Sequence, residues 1–263
     1  MPTLLHVCDA FTSTPFHGNP AAVCILDTPR SDAWMRCVAG ELNLSETAFL
    51  HPLPDGFSLR WFTPVNEVDL CGHATLASAH TLWEIGTLHP DEPARFHTRS
   101  GVLTCQRDGE HIAMDFPAQP CQPCPTPLGL DNALGVRIQR CLSNQTDLLV
   151  ELLDDQTVRT LQPDLGFLKM LPYRGIIVTA LSADPSFDFV SRFFAPAFGI
   201  PEDPVTGSAH CALAPFWQHR LNKNRFAGFQ ASARGGTVLM EVHPSRVTLK
   251  GQAVLTSRVT LLR

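Results

Sequence analysis

The chain of 263 residues carries 20 Lys and Arg against 25 Asp and Glu, a formal net charge of −5. It is 44% hydrophobic and only 17% charged, a composition that excludes a disordered polypeptide. The acidic balance excludes a phosphate-dominated nucleic-acid partner, which needs clustered basic charge, and the length suits one large domain or two of about 130 residues.

The nine cysteines are odd in number and scattered from Cys8 to Cys211, the pattern of a reduced protein rather than a disulfide scaffold. The first residues lack a basic segment and reach Asp9 before a signal-length apolar run can form. No stretch approaches the roughly 20 apolar residues of a membrane helix. A cytoplasmic protein without a membrane partner is the expectation.

Residues 4–26 read as two strands joined by a loop containing Thr14-Pro15 and His17-Gly18-Asn19-Pro20. Ser31 caps a helix whose Trp34, Val38 and Leu42 recur at helical spacing, and Asn43 ends it. Residues 44–50 form a short strand with Glu46 in apolar and small company. Another strand, 58–62, stops at Thr63-Pro64. From Ala74 to Ile85 the chain is helical in propensity with a single charge, Glu84, and a helix that is apolar or small all round is buried on all sides. Strands follow over 96–107 and 111–116. The segment 117–127 holds five prolines in eleven residues and reads as a linker. Beyond it come a short helix over 131–137, strands over 147–153 and 175–179, a loop at Arg192-Phe193-Phe194-Ala195-Pro196, a second low-charge helix from Ser208 to about His219, and strands from Thr237 to Leu262.

Two of these segments resemble each other. Arg60-Trp61-Phe62-Thr63-Pro64 precedes Gly72-His73-Ala74 and an uncharged helix reaching Trp83; Arg192-Phe193-Phe194-Ala195-Pro196 precedes Gly207-Ser208-Ala209 and an uncharged helix reaching Trp217. The two glycines stand 135 residues apart (207 − 72), close to half the chain. A duplicated, pseudo-twofold fold follows. The expected division is a first lobe over 1–117, with a final strand at about 253–263 packing back onto it, a linker over 118–127 and a second lobe over 128–252.

The chemistry gathers at the two helix starts. A helix N-terminus offers unpaired N–H groups and partial positive charge to a carboxylate or phosphate, and Gly72 and Gly207 permit close approach. If the lobes face each other, both helix starts serve one cleft. Glu46 and Asp203 are the leading catalytic carboxylates: burial of Glu46 would raise its pKa into the range of useful proton exchange, while Asp203 directly precedes the second helix. The ordinary alternatives are a solvent-facing strand Glu and a loop-capping Asp. His73 and Ser208 occupy matching positions after the two glycines and are candidate ligand contacts. Cys71, beside a helix start, is either a thiolate base or a small buried residue. Cys121-Gln-Pro-Cys124 lacks the second pair that a zinc site needs, so no metal is expected. No dinucleotide fingerprint, P-loop or zinc-protease motif occurs, so no organic cofactor is expected.

The sequence resembles the PhzF-like (phenazine biosynthesis-like) family of the diaminopimelate epimerase-like superfamily. The resemblance rests on Asp9-Ala10-Phe11-Thr12, Gly18-Asn19-Pro20-Ala21-Ala22-Val23, Asn43-Leu44-Ser45-Glu46-Thr47, Phe62-Thr63-Pro64-Val65-Asn66-Glu67 with Cys71-Gly72-His73, and Glu202-Asp203-Pro204-Val205-Thr206-Gly207-Ser208-Ala209. It implies an α+β fold of two pseudo-symmetric lobes, each a largely antiparallel sheet curled around a central buried helix. It further implies a homodimer and cofactor-independent isomerisation of a small anionic metabolite by proton transfer. Glu46 then matches the family's acid/base, and His73, Asp203 and Ser208 line the cleft. Racemases of the superfamily use one cysteine per lobe, and here only Cys71 stands in such a position. A racemase with Cys71 as one base, and a catalytically silent binding protein, remain as alternatives.

Overall fold

The computed structural model describes residues 2–262, which divide into two compact units. One unit takes the chain up to Asp115 and again from Lys250; the other is Phe116–Leu249.

The first unit begins with β1 (Thr3–Ala10) and β2 (Asn19–Ile25), followed by α1 (Asp32–Leu42), β3 (Glu46–Leu53), β4 (Gly56–Phe62) and β5 (Glu67–Val68). Next come α2 (Gly72–Glu84), β6 (Ala94–Thr98), β7 (Gly101–Asp108) and β8 (His111–Pro117), which runs across the boundary. The second unit holds β9 (Gln122–Pro123), α3 (Leu130–Leu134), β10 (Arg140–Ser143), β11 (Asp147–Glu151), α4 (Asp155–Thr160), α5 (Leu165–Lys169), β12 (Gly175–Leu181) and β13 (Phe189–Ala195). It continues through β14 (Ile200–Asp203), α6 (Gly207–Leu221), β15 (Arg225–Gln230), β16 (Gly236–Val242) and most of β17 (Arg246–Gly251). The chain then returns to the first unit as β18 (Ala253–Leu261), antiparallel to β1.

The duplication is visible in the strand pairings. β1 to β2 is antiparallel, β2 to β3 parallel, β3 to β4 antiparallel, β4 to β5 antiparallel, β4 to β6 parallel and β6 to β7 antiparallel. The second unit repeats that series with β10 to β11, β11 to β12, β12 to β13, β13 to β14, β13 to β15 and β15 to β16. Each unit is thus a largely antiparallel sheet with two parallel pairings and one buried helix.

In the first unit that helix is α2, packed on β1, β2, β3 and β18. Ten of its thirteen residues are buried. Its buried hydroxyls are satisfied internally: those of Thr75, Ser78 and Thr81 donate to the carbonyls of Cys71, Ala74 and Ala77 at 2.5, 2.7 and 2.8 Å. Such bonds to the preceding turn let a helix whose single charge is at its last residue carry hydroxyls into a core. The counterpart α6 sets Trp217 against Phe189 of β13, ring centroids 5.6 Å apart and stacked, with its indole N–H donating to Thr179 Oγ1 on β12 at 3.1 Å.

Local signals hold well at α1. Ser31 accepts from the Trp34 amide, and Asn43 sits in the left-handed region at φ 50°. Two expectations need correction. Arg192–Ala195 is not loop but the end of β13, because its aromatic run registers against β12 and buries on both faces. The proline segment contributes a short edge strand, β9, paired with Leu142 and Ser143; proline is tolerated there because an edge strand can spare the missing N–H.

The repeated arginines share a role. Arg60 grips Glu67 through Nε and Nη2, both contacts at 2.7 Å, and Arg192 grips Glu202 in the same way at 2.7 and 2.9 Å. Each guanidinium lies over the next-but-one phenylalanine, 5.1 Å from Phe62 and 4.9 Å from Phe194. Each repeat therefore ties its β4-type strand to the segment leading into the buried helix. Among the described residues no helix is long and apolar enough to cross a membrane.

Candidate active site

The first unit brings Glu46, Cys71 and His73 together at the start of α2. Glu46 is the first residue of β3, in parallel register with Ala21 of β2, and is buried at 8% exposure. Cys71 is the N-cap of α2 in extended conformation, and Gly72 and His73 form its first turn. His73 Nε2 lies 3.2 Å from Glu46 Oε2, a proximity rather than an in-line hydrogen bond. Burial drives the His73 pKa down to about 3, so the ring is neutral at physiological pH and the contact is not an ion pair.

The other ring nitrogen is held by Asn19, whose Nδ2 lies 3.2 Å from His73 Nδ1. An amide nitrogen only donates, so Nδ1 accepts and the ring proton sits on Nε2, facing Glu46. Cys71 Sγ also approaches Nδ1, at 3.5 Å. Asn19 is fully buried at the start of β2, and the turn delivering it depends on Gly18: at φ 63° a Cβ there would stand 2.1 Å from the Ala10 carbonyl oxygen. The sequence reading passed over Asn19 as a site residue. Its signal was the Gly18-Asn19 pair opening a buried strand.

The second unit builds a different arrangement at the start of α6. Asp203 ends β14 and is buried; its Oδ2 accepts from Thr206 Oγ1 at 2.5 Å. Gln230, fully buried, fastens the turn by donating to the Asp203 carbonyl at 2.7 Å and accepting from the Thr206 amide at 2.9 Å. Asp203 therefore has a turn-holding part beside any chemical one. Ser208 Oγ accepts from Arg174 Nη2 at 3.0 Å. Arg174 is itself braced by the wholly buried Asp147, through contacts of 2.9 and 2.5 Å. With Arg174 occupying a lone pair, the Ser208 hydroxyl proton is left to point elsewhere. Neither Arg174 nor Asp147 is marked by a sequence motif.

Register shows what the duplication did not preserve. Ala21 pairs with Glu46 in β2 to β3, and Asp147 pairs with Gly175 in the equivalent β11 to β12. Glu46 and Gly175 are counterparts, so the candidate acid/base exists in one unit only. Gly175 has no room for a side chain: a Cβ would stand 2.1 Å from the Phe193 ring.

Comparison with known proteins agrees with this architecture. The model of the phenazine biosynthesis-like protein family matches residues 8–258. A protein of Halalkalibacterium halodurans named as an uncharacterized isomerase is 52% identical over 263 residues, covering 100% of this chain and 99% of its own. The crystal structure of a phenazine biosynthesis protein PhzF family member from Enterococcus faecalis superposes with a TM-score of 0.95 at 40% identity, covering 100% of both chains. A hydroxyproline epimerase from Agrobacterium vitis, at 12% identity and TM-score 0.66 over 99% of this chain and 92% of its own, shares the fold. The chain belongs to the PhzF-like, phenazine biosynthesis-like family, and several of its relatives there are named as uncharacterized isomerases.

Proposed function

We propose that this protein is an isomerase that moves a proton between carbons of a small carboxylate-bearing metabolite, with Glu46 as the acid/base and no organic cofactor. The observation that carries this reading is the buried Glu46 carboxylate 3.2 Å from a neutral His73. A carboxylate that takes a proton from one substrate carbon becomes the acid that returns it to another, so the proton balance closes on one residue. His73, its proton directed by Asn19 toward Glu46, donates to the substrate or to the carboxylate as charge moves. The Gly72 amide holds an anionic group of the substrate beside Glu46; in the second unit the Gly207 amide and the Ser208 hydroxyl are the groups suited to hold an anion, and Asp203 to orient it. The relatives' isomerase names and the epimerase fold support the reaction class.

The test is proton NMR in D₂O over a panel of small amino, hydroxy and cyclic-diene carboxylates, seeking enzyme-dependent exchange. With a substrate in hand, Glu46→Gln should lose about 10²–10⁴-fold in turnover, and wild-type turnover would overturn the assignment. The contact of Cys71 with His73 supports a second reading, a racemase with Cys71 as one base. Exchange lost in Cys71→Ala and kept in Glu46→Gln would favour it. The same proposal takes the protein as a cytoplasmic homodimer, for which light scattering should give twice the mass of the chain.

A further inference from the structure

We propose that Glu46, Cys71 and His73 also form a binding site for a thiophilic divalent cation, with Zn²⁺ as the reference ion, and that its occupancy inhibits the enzyme. Binding is independent of the proton-shift reading; inhibition rests on it.

The three residues each bring one ligand atom, and these atoms all lie within 4.8 Å of one another. It is the one such grouping of His, Cys, Asp and Glu among the described residues. Ligand atoms around a tetrahedral zinc, with bonds of about 2.0 Å to N or O and 2.3 Å to S, stand roughly 3.3–3.5 Å apart. Glu46 Oε2 and His73 Nε2 already hold that spacing at 3.2 Å. The Cys71 thiol, now 3.5 Å from Nδ1 of the same ring, must swing toward the Nε2 side and gives up that contact for the metal.

Charge and second-shell chemistry fit as well. Loss of the thiol proton to solvent gives a thiolate beside a carboxylate and an imidazole, so a divalent ion brings the cluster to net neutrality. With Nε2 on the metal, the ring proton moves to Nδ1, and a rotation of the Asn19 amide presents its carbonyl oxygen as the acceptor, the support that metal-bound histidines usually have. A thiolate selects Zn²⁺ or Co²⁺ over Mg²⁺ and Ca²⁺. Three protein ligands leave a fourth position for water or a substrate carboxylate. The bound ion would occupy the carboxylate that Glu46 needs for proton transfer.

The experiment is titration of the purified full chain with Co²⁺. A thiolate-to-cobalt charge-transfer band should saturate at one equivalent, disappear when Zn²⁺ is added, and be absent in Cys71→Ser. It should persist in the Cys37→Ser and Cys124→Ser controls, and Glu46→Gln should weaken Co²⁺ binding about tenfold. If Cys71→Ser does not fold, alkylation of the wild-type chain followed by peptide mass spectrometry gives the same answer: one equivalent of Zn²⁺ should protect Cys71 and leave Cys37 reactive. No band at one equivalent, a band that survives Cys71→Ser, or unprotected Cys71 overturns the site. Binding without loss of proton exchange would keep the site and reject the inhibition.

Discussion

The amide N–H of Gln119 donates to the carbonyl of Cys211 at 3.0 Å, the bond that Pro215, four residues further along α6, cannot make. A proline inside a buried helix removes one donor from the i to i−4 ladder, and the proline-rich segment after β8 returns it. Gln119→Pro should therefore destabilise the protein by about 1–2 kcal/mol, the cost of stranding a buried carbonyl. The double variant with Pro215→Ala should recover most of that loss. Urea midpoints with an unchanged slope are the measurement, and a neutral Gln119→Pro would refute the relationship.

The placement of His73 by Asn19 predicts a kinetic signature. Asn19→Ala removes the donor to Nδ1 and frees the ring to change tautomer, so turnover should fall about tenfold, the equivalent of one hydrogen bond, with KM changed much less. A change confined to KM would instead assign Asn19 to substrate binding.

Gly175→Ala places a methyl group against the Phe193 ring. Overpacking of this kind costs about 1–3 kcal/mol. Thermal melting should show the loss, and the paired Gly175→Ala, Phe193→Leu variant should reverse part of it; a melting temperature equal to wild type would mean that β12 and β13 shift freely.

The two arginine clamps differ in depth. Arg192 keeps 9% of its side chain exposed and also donates to the Leu161 carbonyl at 2.6 Å, whereas Arg60 keeps 26%. Arg192→Ala removes a deeply buried guanidinium, leaves the half-buried Glu202 without its clamp and takes the donor from the Leu161 carbonyl, and should cost about 2 kcal/mol. Arg60→Ala should cost less, because water reaches the site and Arg99 already contacts Glu67 at 2.7 Å. Equal losses in chemical denaturation would contradict the ranking.

His210 sets a pH dependence. It is fully buried with Nδ1 2.8 Å from the Thr206 carbonyl, and burial lowers its pKa from 6.5 to about 4. The unfolded chain takes up the proton near pH 6.5 while the native one does not until about pH 4, so the stability is present above pH 6.5 and is lost as pH falls through that window. His210→Asn should make the melting temperature fall less steeply between pH 6.5 and 4; an unchanged slope would place the linkage on other groups.

The legible parts of this protein were those whose cause is local. Ser31 and Asn43 bracket α1 because capping is decided within one turn. The two low-charge helices announced their burial, and the Arg-aromatic-Pro and Gly-start pattern announced the repeat. Glu46, His73 and Cys71 could be named from motif and position, and the structure brings them together in the first unit. Short elements such as β10, α4, α5 and β15 escaped, because four to six residues hold too little periodicity to show.

Composition and pattern thus determined a duplicated α+β chain with a carboxylate and a histidine near a helix start. Tertiary structure decided which groups control them. Asn19 meets His73 across 54 residues and Arg174 meets Ser208 across 34, contacts that exist only once strand register and helix packing have placed both partners. Register alone made Glu46 unique, by putting Gly175 at the matching position under a phenylalanine ring. A hydrogen bond acts over about 3 Å whatever the separation in sequence, so the site's chemistry is written in residue types, but its wiring is set by the fold.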